Sequence, residues 1–260
     1  MADSAGHHHR GVRQASRTPA PAQAQTPPLG SGPPASLQDR LELMKTVLAS
    51  PPSVHPKAPG GVWRTSDDCY EFMAAHVREG SRTLETGAGI STVLLAAWGC
   101  QHLCVVPRRK EAEAIVDYCT ALGLPTSSLS FAVRPSEEAL PGLDGSDERD
   151  LLLIDGSHGF PLPIIDWFYG AAHLCRGGIV IFDDAQLPQL GPMLKFLDLD
   201  PRWEPVGSTI KWRAYRRLSS GPLAEDHYQQ LFFTRAGLAS WGSGLSPARR
   251  LLRRIGPKRA

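Results

Sequence analysis

The sequence lacks several features that would assign it to a class at once. Its five cysteines include no C-x-x-C pair and stand beside apolar residues, which argues against a disulfide scaffold or a zinc site and predicts reduced thiols in a cytoplasmic protein. No segment approaches the roughly 20 apolar residues that a membrane helix needs, so no transmembrane segment is expected. The formal net charge of the 260 residues is only +2, so no nucleic-acid binding is expected.

Large apolar side chains are scarce at the N-terminus. Residues 1–35 are rich in Ala, Pro, Gln, Ser and Gly and cannot bury enough surface to offset their ordering entropy, so we predict a disordered tail. Residues 36–80 are predicted to form a helical cover, and 81–220 the main domain. The C-terminal extension, 221–260, ends in a basic run without acids. For this run we predict either weak contact with an anionic surface or a solvated tail.

Between residues 81 and 220, short apolar stretches alternate with helical patterns, which is typical of a parallel sheet with crossover helices. Strands are predicted at Arg82–Thr86, 102–107, Leu129–Val133, 151–155, 178–183, Trp203–Ser208 and 211–218. Helices are predicted near 91–98, 110–122, 162–175 and 187–197. The fold class is therefore α/β, a Rossmann-like doubly wound and mostly parallel sheet with helices on both faces and an antiparallel edge strand. Ligands bind outside the carboxyl ends of the strands in such sheets.

A glycine turn directly follows the first strand of this domain. Gly87 and Gly89 allow a tight turn and a close approach of a ligand to the backbone. Ser91 is a candidate cap for the helix that follows and a candidate cofactor contact, because the open amides at that helix start would face the ligand. A Gly-x-Gly turn is shared by several nucleotide-binding families, and an ordinary surface turn is the alternative.

Aspartates follow two later strands. Asp155 ends the apolar run 151–154, and Asp183 and Asp184 follow the run 178–182. If the two strands are neighbours, Asp155 and Asp183 lie close together, and adjacent carboxylates either raise each other's pKa or share a cation. Three hard oxygen ligands suit Mg²⁺ rather than zinc. The alternative is that these aspartates serve only as helix caps and loop anchors.

The stretch from Glu85 to Gly89 resembles the first motif of class I S-adenosylmethionine-dependent methyltransferases. That resemblance implies that Glu85 and the two glycines hold the methionine part of the cofactor. Residues 134–141 are similar to the adenine segment of the catechol O-methyltransferase-like branch, which implies cofactor contacts for Ser136 and Glu137.

The same branch has three metal ligands at the positions of Asp155, Asp183 and Asp184, the third being typically asparagine. The resemblance therefore implies that these three residues hold Mg²⁺, with Asp155 also serving the cofactor and catalysis. His158 stands where the catechol enzymes place a lysine general base. A histidine, with an ordinary pKa of about 6.5, suits removal of a hydroxyl proton near neutral pH. The alternative for His158 is a hydrogen bond to its own loop or stacking on the adenine.

One expected residue is missing. These families place an acid after the second strand to bind the cofactor ribose, but the sequence there has no carboxylate before Glu111. A dinucleotide-binding NAD(P) protein would share this gap, and it would also lack its third glycine because Thr92 stands there.

From the resemblance we predict a methyltransferase that transfers a methyl group to a hydroxyl oxygen of a small molecule. A methyltransferase-like domain that binds a ligand or partner without turnover is the alternative, and a homodimer is left open.

Overall fold

The computed structural model describes residues 33–34, 36–221, 223, 226 and 230. The predicted N-terminal tail lies almost wholly outside the described residues, and so does nearly all of the predicted C-terminal extension with its basic run. The helices are α1 Leu37–Ala49, α2 Asp67–His76, α3 Ile90–Ala97, α4 Arg109–Ala121, α5 Ser136–Ala139, α6 Leu162–Gly170 and α7 Gly191–Leu199. The strands are β1 Arg82–Thr86, β2 Gln101–Val106, β3 Leu129–Val133, β4 Arg149–Ile154, β5 Leu174–Phe182, β6 Trp203–Ser208 and β7 Arg213–Arg217.

The seven strands form one sheet in the order β3-β2-β1-β4-β5-β7-β6. Strands β1 to β5 run parallel, whereas β7 lies antiparallel between β5 and β6. The chain moves outward from β1 through β2 to β3 and then restarts at β4 on the other side of β1. This reversal opens a crevice at the carboxyl ends of β1 and β4. The arrangement confirms the predicted fold class.

Both faces of the sheet are buried, as the apolar runs in β4 and β5 require. Alternate residues of β4 point to opposite cores: Leu151 and Leu153 pack with α1 to α4, and Leu152 and Ile154 pack with α6 and α7. This alternation follows the two-residue period of a strand. A parallel sheet that is covered on both faces reads as continuous apolar sequence.

The N-terminal helices are fastened to the sheet domain by buried side chains. Ser36 caps α1 in a capping box with Asp39. The Arg40 guanidinium donates from Nε to the Ala74 carbonyl in α2 at 2.9 Å, and the Trp98 indole at the end of α3 donates to the Arg40 carbonyl at 3.2 Å. These hydrogen bonds therefore tie α1 to both α2 and α3.

The sequence placed most elements within a few residues, but two boundaries were wrong. The helix predicted at 162–175 ends at Gly170, and β5 begins at Leu174 instead of Gly178. The pairing of β4 with β5 shifts register between Arg149 and Leu151, and Gly177 has a φ of 92°. The positive φ of Gly177 lets the strand continue through this irregularity. In the sequence, Gly177 and Gly178 suggested that the strand starts only at Gly178.

The five cysteines are all unpaired, as predicted, but only four of them are buried, because Cys175 is partly exposed. Within the described residues, no helix has the length and apolar character needed to cross a membrane.

We predict that Trp98→Ala lowers the free energy of unfolding by roughly 3–5 kcal/mol, because Trp98 is fully buried against α1. Chemical denaturation monitored by circular dichroism would measure the change. The matched control is Trp63→Ala, whose side chain is 59 % exposed and should cost less than about 0.5 kcal/mol. Equal effects of the two variants would contradict the packing of α3 against the cover.

Candidate functional site

A cavity of about 640 Å³ lies at the carboxyl ends of β1, β4 and β5. Its size lies within the usual range for small-molecule sites. Loops after five parallel strands, the loop before α2 and the β6–β7 turn all contribute walls. The lining residues are His55, Trp63, Arg64, Thr86, Gly87, Ala88, Val105, Pro107, Arg108, Glu111, Pro135, Ser136, Glu137, Asp155, Gly156, Ser157, His158, Leu162, Asp183, Asp184 and Lys211.

At Gly87 the turn after β1 passes very close to the main chain at the end of β4. The φ of Gly87 is 88°, and a Cβ at this position would lie 2.4 Å from the carbonyl oxygen of Asp155. The glycine is therefore required by the close approach of the β1 turn to the end of β4, in addition to any approach of a ligand. A branched residue here would strain this junction. Gly89 has extended φ, starts α3 as its N-cap and does not line the cavity.

Glu85 and Ser91 were predicted to contact the cofactor, but neither lines the cavity. The Glu85 carboxylate is buried beneath the glycine turn. It accepts hydrogen bonds from the hydroxyls of Ser91 and Thr92, the latter at 2.7 Å, and lies 3.1 Å from Nε2 of His102. A buried carboxylate needs such partners to offset its lost hydration. Glu85 and Ser91 therefore fix the start of α3 to β1 and β2.

The predicted adenine contacts do line the cavity. Ser136 and Glu137 lie at the start of α5, directly after β3. The end of β3 borders the same side of the crevice as the end of β2, so these two residues stay candidates for the adenine contact.

No acidic residue directly follows β2, but the carboxylate of Glu111 lies in the cavity wall near the end of that strand. Glu111 lies in the first turn of α4, exposes only 5 % of its surface, and lines the cavity. Arg108 donates from Nε to its carboxylate at 2.9 Å, and Nε2 of His55 lies 3.7 Å away. Burial lowers the pKa of His55 despite the opposing effect of Glu111. The neutral imidazole and the carboxylate together can hydrogen-bond a pair of hydroxyls. In the sequence Glu111 stands four residues after Pro107, too far from the strand end to be assigned this role by the family pattern.

Asp155, Asp183 and Asp184 lie in the cavity wall together with His158. Nε2 of His158 is 3.2 Å from Oδ2 of Asp184 and 3.8 Å from Oδ1 of Asp155. Asp183 is almost completely buried and accepts a hydrogen bond from the Thr65 hydroxyl. The structure therefore brings these four residues together in one wall of the cavity.

A fifth residue of this group, Lys211, was missed. Its Nζ is 3.0 Å from Oδ2 of Asp183 and donates a second hydrogen bond to Oδ1 of Asp184. The sequence placed Lys211 inside a strand, but it lies in the turn between β6 and β7. The signal that could have found it is the antiparallel edge pair, because a strand antiparallel to β5 must start near the end of β5.

The ionisation of this group follows from its contacts. Burial raises the pKa of Asp155 well above its usual range, and the carboxylates of Asp183 and Glu85 raise it further. Burial also disfavours charge on Lys211, but Asp184 and Asp183 outweigh it and raise the Lys211 pKa. Burial also disfavours charge on Asp184, but its contact with Lys211 outweighs burial and lowers the pKa of Asp184. Lys211 and Asp184 are therefore a charged pair at neutral pH.

The predicted Mg²⁺ site does not fit this arrangement. Within the described residues, Glu85, His102 and Cys104 bring their ligand atoms within 4.8 Å of one another. The three aspartates do not form such a cluster. An ammonium group already lies against both Asp183 and Asp184. A divalent ion would have to displace it, so the carboxylates act here as partners of Lys211.

Comparisons with known proteins agree with this fold. Residues 84–185 match a family described as "Methyltransferase domain", whereas no curated protein sequence matches the chain. A putative O-methyltransferase from Klebsiella pneumoniae has a similar structure, with a TM-score of 0.50 and 16 % identity over 70 % of this chain and 90 % of its own. Its low identity makes this a likeness of fold.

Two further solved structures are similar at lower scores. The SAH-bound methyltransferase PaMTH1 of Podospora anserina has a TM-score of 0.48 and 18 % identity, over 72 % of this chain and 90 % of its own. A putative rRNA-methylase from Clostridium thermocellum has a TM-score of 0.49 and 14 % identity, over 62 % of this chain and 99 % of its own. Residues 84–185 thus resemble a methyltransferase domain, and they carry the glycine turn after β1 together with Asp155, His158, Asp183 and Asp184.

Proposed function

We propose that this protein transfers a methyl group from S-adenosylmethionine to a hydroxyl oxygen of a small molecule. The observation that carries the proposal is the position of His158, which shares one cavity with the glycine turn and is held by Asp184. A hydroxyl must lose its proton to become a good nucleophile, and histidine is the side chain best suited to accept it.

The cavity walls suit the cofactor along its length. Gly87 and Asp155 would hold its methionine end, Glu111 and His55 its ribose hydroxyls, and Ser136 and Glu137 its adenine. When bound, S-adenosylmethionine supplies an electrophilic methyl group on sulfur. The protein positions the acceptor oxygen and removes its proton.

His158 is prepared for this role by two contacts. Oδ2 of Asp184 lies 3.2 Å from Nε2 of His158, so a proton on Nε2 would face this carboxylate and Nδ1 would be the basic nitrogen. Gln189 donates from Nε2 to the main-chain carbonyl of His158 at 2.7 Å and so fixes the loop. The pair of contacts orients the imidazole and stabilises the charge that it gains.

The size of the cavity and the charge of the chain support a small acceptor. Trp63, Arg64 and His55 from the N-terminal part border the cavity, so an acceptor must fit beneath them. The net charge of +2 gives no support for a nucleic-acid substrate. The unpaired cysteines support a reducing, cytoplasmic environment as part of this proposal.

The alternative of a binding domain without turnover rested on the missing ribose acid. Glu111 and His55 weigh against that alternative, because both bring polar groups to the cavity wall. An NAD(P) protein is disfavoured by the match to a methyltransferase family.

We predict that Glu111→Gln weakens binding of S-adenosylmethionine by roughly tenfold to a hundredfold, since a hydrogen bond to a charged group contributes about 1.5–3 kcal/mol. Isothermal titration calorimetry with S-adenosylmethionine and S-adenosylhomocysteine would measure it. Glu113→Gln, an exposed glutamate on the same helix, is the matched control and should bind as wild type. Unchanged affinity in Glu111→Gln would place the ribose elsewhere. Failure of the wild-type protein to bind either compound, with binding of NADH, would overturn the proposed function.

We predict that His158→Gln lowers turnover by roughly 10²-fold to 10⁴-fold, because the general base is lost, while the affinity for S-adenosylmethionine hardly changes. Release of S-adenosylhomocysteine in the presence of a panel of small phenols and hydroxy acids would report turnover. His76→Gln, which changes an exposed histidine on α2, is the control. If His158→Gln retains turnover but loses cofactor affinity, His158 is a binding residue and the base lies elsewhere.

A further inference from the structure

We propose that Lys211 takes the place of a divalent cation at the end of β5, so that methyl transfer in this cavity needs no metal ion. The inference rests on the proposed function and specifies how its site handles charge. It makes Lys211 a catalytic residue that hydrogen-bonds the acceptor oxygen.

The sheet itself brings Lys211 to this position. Strand β7 pairs antiparallel with β5, and Arg213 is opposite Phe182, the last residue of β5. The turn that precedes β7 therefore lies over the carboxyl end of β5, where Asp183 and Asp184 follow. The main-chain N–H of Ala185 donates to the Lys211 carbonyl at 2.8 Å, which ties the turn to the strand end.

The turn is also fixed from its other side. The N–H of Thr209 donates to the Trp212 carbonyl at 2.8 Å. The indole of Trp212 is buried and donates to Oδ1 of Asp68 in α2 at 3.0 Å. Lys211 thus stands on a turn that is anchored both to β5 and to the N-terminal helices, which restricts where its ammonium group can go.

The charges around the ammonium group leave little reason for a metal ion to enter. Lys211 already neutralises one charge of the Asp183 and Asp184 pair through direct contacts. His158 contacts the other oxygen of Asp184. A divalent ion would gain these carboxylates only by displacing Lys211, and its charge would repel the displaced ammonium group nearby.

An ammonium group can do for the acceptor oxygen much of what a cation does. Lysine has three N–H donors, and the contacts with Asp183 and Asp184 use two of them. The third is available to an oxygen in the cavity that Lys211 lines. There it would hold the acceptor oxygen and stabilise the negative charge that develops as the proton leaves.

The chemical step balances without a metal ion. The acceptor hydroxyl loses its proton to Nδ1 of His158, an oxygen lone pair forms the new C–O bond, and the C–S bond breaks with its electron pair left on sulfur. The positive charge of the sulfonium thus ends on the imidazolium beside Asp184. Lys211 keeps its own proton throughout.

The test compares wild type with Lys211→Met and Lys211→Arg, using Mn²⁺ as the probe. Mn²⁺ binding is measured by electron paramagnetic resonance, cofactor binding by calorimetry, and folding by thermal unfolding. We expect wild type and Lys211→Arg to bind no Mn²⁺ up to about 1 mM, and wild type to keep full turnover in excess EDTA. Lys211→Met should gain a Mn²⁺ site and lose turnover by roughly tenfold or more in EDTA. Lys45→Met, which removes an exposed lysine paired with Glu42, should behave as wild type.

Three results would overturn the inference. They are a wild-type Mn²⁺ site that Asp183→Asn abolishes, loss of wild-type turnover in EDTA, and full turnover of Lys211→Met without metal. The cofactor titration separates this inference from the proposed function. If wild type binds S-adenosylmethionine and also holds Mn²⁺ at Asp183, only the role of Lys211 fails. If it binds no S-adenosylmethionine, the proposed function itself fails.

Discussion

The buried carboxylate of Glu85 is the constraint on which the site depends. It joins three elements at once: its own strand β1, the start of α3 through Ser91 and Thr92, and β2 through His102. A carboxylate in a low-dielectric core is costly unless it is fully hydrogen-bonded, and removal of one partner leaves the rest unsatisfied. This network fixes the direction in which the chain leaves β1. It therefore determines where Gly87 meets the end of β4 and where the cavity opens.

Above this network, the cavity is organised by a second set of charges. Asp155, Asp183 and Asp184 would repel one another strongly in a partly buried wall. Lys211 relieves that repulsion for two of them, and burial keeps the proton on Asp155 over a wider pH range. The wall can then be polar without being strongly negative, which suits an acceptor oxygen that becomes negative during the reaction.

The N-terminal helices take part in the same site. Thr65, just before α2, donates to the buried Asp183, and Asp68 in α2 holds the indole of Trp212. His55 from the preceding loop reaches Glu111 on the opposite side of the cavity. The segment predicted from sequence as a cover thus contributes polar groups to both ends of the cavity, and a hydrogen bond from the Trp98 indole to the Arg40 carbonyl ties it to α3.

The sequence alone determined the fold class and the strand ends that carry chemistry. Apolar runs such as 151–154 can be buried only in a sheet that is covered on both faces, and the parallel order then brings Asp155, Asp183 and His158 to one edge. The tertiary structure decided which of the polar groups line the cavity. Glu85 turned inward because His102 on β2 and the hydroxyls of α3 surround it, and local sequence does not reveal partners on other elements. Lys211 and Glu111 entered the site because an antiparallel edge pair and the first turn of α4 carried them there. Only the register of β7 against β5, set by packing across the whole sheet, decided that an ammonium group lies where the sequence pattern predicted a metal ion.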